Sequence, residues 1–210
     1  MKVYSMDQGT EEWFACKIGI PSAGSMDKIV TPTGKKSTQY KQYMYRLAGE
    51  IMTGQYQGNT YTNPAMERGT EMEAEARQVY ELRTGVTVSQ IGFCVRDDEL
   101  AGCSPDGLVG DDGGLEIKCP LVNTHVEYLL AGGMPTKYRS QVQTSLFVTG
   151  REWWDFMSYF PGMDPVVERI TPDPVFQKML AETLTEFQKD LTATLEQLKK
   201  GTGPSKSTQD

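Results

Sequence analysis

The residues able to do chemistry in this chain concentrate between Gly102 and Pro120, where Asp106, Glu116 and Lys118 stand among apolar and turn-forming residues. Leu100–Cys103, continued by Leu108–Val109, and Leu115–Cys119 read as two strands. The run Gly-Asp-Asp-Gly-Gly over 110–114 turns one back on the other, because Gly and Asp tolerate the positive φ values of a hairpin turn. Asp106 falls where the first strand turns. Side chains alternate along a strand, so Glu116 and Lys118 share one face while Leu115, Ile117 and Cys119 take the other. Two carboxylates and an ammonium on an otherwise apolar strand are costly to bury without compensation. A hard divalent cation on oxygens of Asp106 and Glu116 would supply it, and Mg²⁺ takes one or two carboxylates while keeping waters for a substrate.

Those side chains need a scaffold, and 210 residues are enough for one domain with a sizeable core, expected over residues 1–200 with a polar, disordered tail at 201–210. With 38% hydrophobic and 23% charged residues, the composition is that of a soluble globular protein. No apolar run approaches the ~20 residues of a membrane span, and the first residues lack the apolar centre of a secretory signal. Cys16, Cys94, Cys103 and Cys119 have no C-x-x-C spacing, which argues against a zinc ribbon or an iron–sulfur site and makes a reducing cytoplasm the simplest setting. The net charge of −7 speaks against indiscriminate coating of DNA but leaves room for one basic channel.

Taken in order, the small residues after Gly19 predict a loop opening a helix, with Ser22 or Ser25 as its cap and Lys17 beside free backbone N–H groups. A helix over 37–53 follows, with Tyr40, Tyr43 or Met44, Leu47 and Ile51 at helical spacing. Asn63 and Pro64 open the next helix, which carries Gly69, Glu71, Glu73, Glu75 and Arg77 and ends near Gly85. Short strands in 86–95 precede the hairpin, and helices at 123–130 and 136–149 follow it. An aromatic strand over 152–160 with a partner at 166–170 leads to a long amphipathic helix over 172–200. Its stripe is Phe176, Leu180, Leu184, Phe187, Leu191, Leu195 and Leu198. His125, the one histidine, is given no role. Together these predict an α/β fold with a central mixed β-sheet flanked by helices and a long C-terminal helix.

The segments Ser-Pro-Asp-Gly-Leu at 104–108 and Leu-Glu-Ile-Lys-Cys-Pro at 115–120 resemble the PD-(D/E)xK nuclease motif, in the form carried by lambda exonuclease and the YqaJ-type viral recombinases. The likeness extends in motif order over about residues 12–160. Trp13-x3-Lys17-x-Gly19 is similar to a family stretch whose arginine and serine hold the DNA 5′ phosphate, with Lys17 standing at the arginine, Gly24 at the serine and Ser25 following. Gly69-x3-Glu73-x2-Ala76-Arg77 is similar to a helix whose glutamate faces the metal centre. Tyr138-x2-Gln141-x-Gln143 is similar to the helix whose first glutamine enters the active site.

The resemblance implies a restriction-endonuclease-like core and a 5′-to-3′ exonuclease on duplex DNA ends, leaving 3′ single strands for an annealing protein in phage-type recombination. It further implies two Mg²⁺ per active site, with Mn²⁺ as a substitute, and a homotrimeric ring around the DNA. Asp106, Glu116 and the backbone carbonyl of Ile117 would hold one ion, and Asp106 with Glu73 a second. Lys118 would hold the scissile phosphate and the attacking water, or act as general base, and Gln141 would orient that water. Lys17, Ser22, Ser25 and Ser104 would hold the terminal phosphate, and Lys137 and Arg139 the DNA backbone. An endonuclease on the same fold remains the first rival. A Ca²⁺-stabilised binding domain is the second, but counting EF-hand positions from Asp106 puts Leu108 third and Gly110 fifth, where oxygen ligands are required. An inactive DNA-binding version of the fold would not be expected to keep Asp106, Glu116 and Lys118 together.

Overall fold

Strand periodicity and Gly/Pro punctuation divide the chain into elements that the structure, a computed structural model, bears out with specific changes. It describes residues 1–58 and 64–201, leaving out the side chains of residues 64–66. The expected Asn63 cap and the expected disorder of residues 202–210 lie outside the described residues. In chain order come β1 (Lys2–Tyr4), α1 (Glu11–Ala15), a 3₁₀ turn (Ala23–Lys28), α2 (Tyr40–Thr53) and α3 (Pro64–Thr84). Strands β2 (Val88–Ser89), β3 (Phe93–Val95), β4 (Gly102–Cys103), β5 (Gly107–Val109) and β6 (Gly113–Lys118) follow. Then come α4 (Val122–Ala131), a second 3₁₀ turn (Thr136–Tyr138), α5 (Arg139–Thr149), β7 (Trp153–Ser158), β8 (Val166–Ile170) and α6 (Pro174–Lys199).

Two sheets result, one of three strands in the order β1-β3-β4 and one of five in the order β2-β5-β6-β7-β8. The larger is mixed: β6 and β7 run parallel and its other pairs are antiparallel. A parallel pair needs a long crossover, and α4 and α5 supply it. The expected single strand over 100–109 is split between the sheets, since Gly102 and Cys103 pair with β3 whereas Gly107–Val109 pair with β6. Pro105 explains the break, because it has no N–H to give a ladder. Asp106 therefore lies at the seam between the sheets.

Gly113 and Gly114 belong to β6 and not to the turn. Their smallness answers to the neighbouring strand: a Cβ at Gly114 would come within 2.3 Å of the Trp154 ring, which is wholly buried. One face of the large sheet carries Leu115, Ile117, Met157 and Val109 against Ala76 and Tyr80 of α3. On the other face Trp154 packs with Val142 and Leu146 of α5, and Phe156 with Tyr128 of α4.

A separate core joins α2, α6 and the first 3₁₀ turn. Phe176, Leu180, Leu184, Phe187 and Leu191 are buried there with Tyr40, Tyr43 and Leu47. Helix α6 starts at Pro174, with the Asp173 carboxylate accepting from the N–H groups of Val175 and Phe176. Its apolar stripe outruns the core, for Leu195 is only partly buried and Leu198 is exposed. Ile51 likewise departs from the expected α2 stripe. It is largely exposed and lies over Gly19.

His125, without an assigned role in the sequence, is buried between the Ser158 hydroxyl (2.8 Å from Nδ1) and the Asp164 carbonyl (3.0 Å from Nε2). A carbonyl only accepts, so Nε2 carries the proton and Nδ1 accepts from Ser158 when the ring is neutral. Phe187 sits edge-on to Tyr40 at 5.0 Å and beside Tyr43 at 6.0 Å. Phe187→Ala should therefore cost about 3–5 kcal/mol in urea unfolding. A loss under about 1 kcal/mol would mean that α6 is not anchored there.

Candidate active site

The site is built outward from the seam. Asp106 is fixed twice to β6: its N–H donates to the Leu115 carbonyl at 3.2 Å, and its Oδ2 accepts the Ile117 N–H at 2.6 Å. This carries the hairpin ladder one residue past β5 and brings the carboxylate alongside Glu116. Glu116 is almost wholly buried, and its Oε1 accepts from both the Lys118 ammonium and the Gln141 amide, the latter at 2.6 Å. Strand alternation supplies Lys118 and the crossover helix α5 supplies Gln141. Four residues singled out in the sequence are thereby brought together.

Electrostatics follow from crowding acids in a dry place. Burial, Glu116 and Glu73 raise the proton affinity of Asp106 well above the ordinary carboxylate range, against Lys118 and the Ile117 N–H. Burial also raises Glu73, with Arg77 and Lys118 opposing it and Glu116 adding to it. Burial alone would lower the Lys118 ammonium, but Glu116 and Asp106 outweigh it and hold Lys118 above its ordinary value, hence protonated. Glu73 is paired with Arg77 at 2.5 Å. Glu75 accepts instead from Tyr159 at 2.6 Å, away from the site. A Cβ at Gly69 would meet the Cys119 carbonyl only at ordinary van der Waals distance, so this glycine is not required by a close approach there.

Among the described residues no three Asp, Glu, His or Cys side chains form a preassembled metal cage. The carboxylates are held by protein cations, Lys118 on Glu116 and Arg77 on Glu73. The donor set nonetheless fits a divalent ion. Asp106 and Glu116 are neighbouring hard oxygen donors whose mutual repulsion raises Asp106, and a cation between them would relieve it. The Ile117 carbonyl lies on the same strand, and Glu73 is close enough to act electrostatically on Asp106.

A second cluster adjoins the seam. Lys17 is only 8% exposed, with its ammonium 3.3 Å from the centre of the Trp13 ring. The Trp13 indole N–H donates to the Gly92 carbonyl at 2.9 Å and to Ser104 Oγ at 3.2 Å, so Lys17, Trp13 and Ser104 are contiguous. The buried Glu50 accepts from the N–H groups of Gly19 and Gln57, both at 3.1 Å, and pairs with Arg46 at 3.4 Å. A 3₁₀ turn stands where a capped helix was expected: Ser25 is within it and Ser22 immediately precedes it in extended conformation; the Ser22 hydroxyl makes no cap, and the Ser22 N–H donates to Tyr43 Oη at 3.2 Å. That segment reaches the seam through the Gly102 N–H, which donates to the Pro21 carbonyl.

Of the two expected backbone contacts, Lys137 is exposed beside Tyr138 and Tyr128, and Tyr138 in turn lies 5.4 Å from Lys118 Nζ. Arg139 is committed elsewhere. It donates to Asp173 at 2.6 Å and to the Pro32 carbonyl at 2.9 Å, tying the start of α6 to α5. Sequence reading placed Arg77 and Tyr138 in family-like motifs but gave neither a role at the site. For Arg77 the available signal was its i,i+4 spacing from Glu73, which pairs charges on a helix; for Tyr138 it was only its place in the motif before Gln141.

The model of the YqaJ-like viral recombinase domain matches residues 12–152. The chain belongs to that family. The matched span holds every residue from Lys17 to Gln141 just described and ends before β7, β8 and α6. An alkaline exonuclease (LHK-Exo) from Laribacter hongkongensis is similar at 35% identity over 91% of this chain and 97% of that one, with a TM-score of 0.82. The same enzyme in complex with dAMP gives 0.81, at the same identity and coverage. A phage-related exonuclease from Haemophilus somnus 129PT is 15% identical over 85% of this chain and 96% of that one, and its TM-score of 0.64 shows a shared fold. No curated protein matches the chain. Among the described residues no helix is long and apolar enough to cross a membrane.

Burial pushes the Lys17 ammonium down to about 8; Cys16 and Glu50 oppose the shift and Arg46 adds to it. Lysine-selective NMR should find one titration midpoint near 8. Glu50→Gln removes a charge that favours the ammonium, so it should move that midpoint lower. A Lys17 midpoint at the ordinary lysine value of about 10.4 would contradict this placement.

Proposed function

We propose that the chain is a Mg²⁺-dependent 5′-to-3′ exonuclease that digests one strand of linear duplex DNA and leaves 3′ single-stranded overhangs. The observation that carries the reading is the convergence of Lys118 and Gln141 on Glu116 beside a doubly anchored Asp106, continuous with the Lys17–Trp13–Ser104 cluster. The 35% identical alkaline exonuclease supports it, as does membership of the YqaJ-like family.

Asp106, Glu116 and the Ile117 carbonyl would hold one Mg²⁺, and Asp106 with Glu73 a second; Mn²⁺ fits the same donors. Such ions, when bound, lower the pKa of water and stabilise charge on phosphoryl and leaving oxygens. The chain's own groups do the rest. Lys118, held beside Glu116, would place its ammonium on a non-bridging oxygen of the scissile phosphate. Gln141, on α5, is positioned to orient the attacking water. Water adds to phosphorus, the 3′ oxygen of the departing nucleotide leaves, and a 5′ mononucleotide is released.

Lys17 meets the terminal 5′ phosphate, with Ser22 and Ser25 nearby in the chain. Ser104 accepts from Trp13 and keeps its hydroxyl proton to donate there. Lys137, exposed beside the site, is left to follow the DNA backbone. Arg139 is better assigned to holding α6. In the same reading three copies form a ring threaded by the duplex, so that only its inner wall need be basic despite a net charge of −7. A single-strand annealing protein takes the overhang in phage-type recombination within the host cytoplasm.

With Mg²⁺, linear duplex should be degraded from 5′ ends and covalently closed circles should survive. Lys118→Ala should lower kcat by about 10²- to 10⁴-fold. Nicked or linearised circles would establish an endonuclease instead. The pH dependence has a definite sign. Lys17 is charged below its value of about 8 and neutral above it. Because kcat/KM reports the free enzyme, the preference for 5′-phosphate over 5′-hydroxyl ends should be full below that pH and decline above it. Lys17→Arg should carry the preference to higher pH, since guanidinium stays charged.

A further inference from the structure

Arg77 is buried at the inner edge of the site, and three partners from three parts of the fold meet its guanidinium. Nη2 donates to Glu73 Oε1 at 2.5 Å, one turn back on α3. Nε donates to the backbone carbonyl of Asp106 at 3.1 Å. With the Gln90 amide turned so that its oxygen faces the guanidinium, that oxygen accepts from Nη1 at 2.9 Å and Nη2 at 3.2 Å. Gln90 lies between β2 of the large sheet and β3 of the small one, and Asp106 lies between β4 of the small sheet and β5 of the large. One side chain thus ties the β2–β3 and β4–β5 connections between the sheets to α3. Arg77, Glu73, Asp106, Gln90 and Trp13 also line one cavity of about 570 Å³. The guanidinium therefore borders open space beside the carboxylates and is not sealed within the apolar core.

We infer that Arg77 is a positioning residue with two separable effects: it fixes the Asp106 turn for catalysis, and its charge restrains the affinity of the site for divalent cations. The inference rests on the metal-dependent nuclease reading. A guanidinium 2.5 Å from Glu73 neutralises that carboxylate while no ion is bound. An ion approaching Glu73 and Asp106 must compete with that charge and is repelled by it. The rigid fork of Arg supplies the three directions at once, whereas Lys would keep the charge and lose the fork.

The two effects move in opposite directions in a variant, which a simple structural role would not produce. Mn²⁺ binding to the DNA-free protein is measured by calorimetry, and steady-state kinetics on linear duplex are measured separately. Arg77→Gln should lower the half-saturating Mn²⁺ concentration by roughly tenfold, because a like charge beside the ion is gone. It should at the same time reduce kcat at saturating metal by about 100-fold with little change in KM, because the Asp106 turn is loosened. Arg77→Lys should leave the Mn²⁺ midpoint near that of the unaltered protein while kcat still falls. In a Glu73→Gln background, Arg77→Gln should no longer tighten Mn²⁺ binding.

Weaker or unchanged Mn²⁺ binding in Arg77→Gln would overturn the inference, as would a tightening that persists without Glu73. If Arg77→Gln does not fold, Arg77→Lys decides: parallel losses of Mn²⁺ affinity and kcat would refute the separation of roles. Failure of the unaltered protein to digest DNA would count against the nuclease reading alone and leave the Mn²⁺ titration interpretable.

Discussion

Carboxylates crowded at the dry end of a β-sheet repel one another, and much of the surrounding structure answers that repulsion. Asp106 accepts the Ile117 N–H on one oxygen, Glu116 accepts from Lys118 and Gln141, and Glu73 accepts from Arg77. Each acid is thus satisfied by a partner from β6, α5 or α3. Unpaired buried charges would be far more costly than any single apolar contact nearby could offset. In the proposed reading a divalent ion would take the place of the protein cations that already meet these donors, Lys118 on Glu116 and Arg77 on Glu73.

The Lys17 cluster solves a different problem with different means. Here a cation is buried against aromatic faces, with Glu50 as a distant counter-charge, and its proton is held more loosely in consequence. Trp13 links the two problems through Ser104, the second residue before Asp106. A change at the Lys17 cluster therefore reaches the Asp106 turn through one ring and one hydrogen bond.

Much of this was legible in the sequence because the informative features are local. Alternation along 115–119 placed Glu116 and Lys118 on one face, and the three-and-four stepping of α6 marked its buried side. The mixed sheet flanked by helices followed from the order of elements. What escaped was set by tertiary packing. The apparent strand 100–109 divides because Pro105 stands at the junction between two sheets, and nothing in the local pattern reveals a second sheet. Gly113 and Gly114 read as turn residues, yet they make room for Trp153 and Trp154, forty residues on. Arg139 looked like a free cation beside the site, and only the fold shows Asp173 meeting it. Ser22 and Ser25 have capping chemistry, but the chain there is too tightly turned to form an α-helix.

The parallel pairing of β6 with β7 sets when this site comes into being. Gln141 belongs to the crossover that must form before those two strands can register, whereas Asp106, Glu116 and Lys118 come from a hairpin with short-range contacts. Loop closure has to precede such non-local pairing and slows it. The constellation thus joins two ranges of contact: its acids are held together within one hairpin, and its glutamine reaches them only across the connection from β6 to β7.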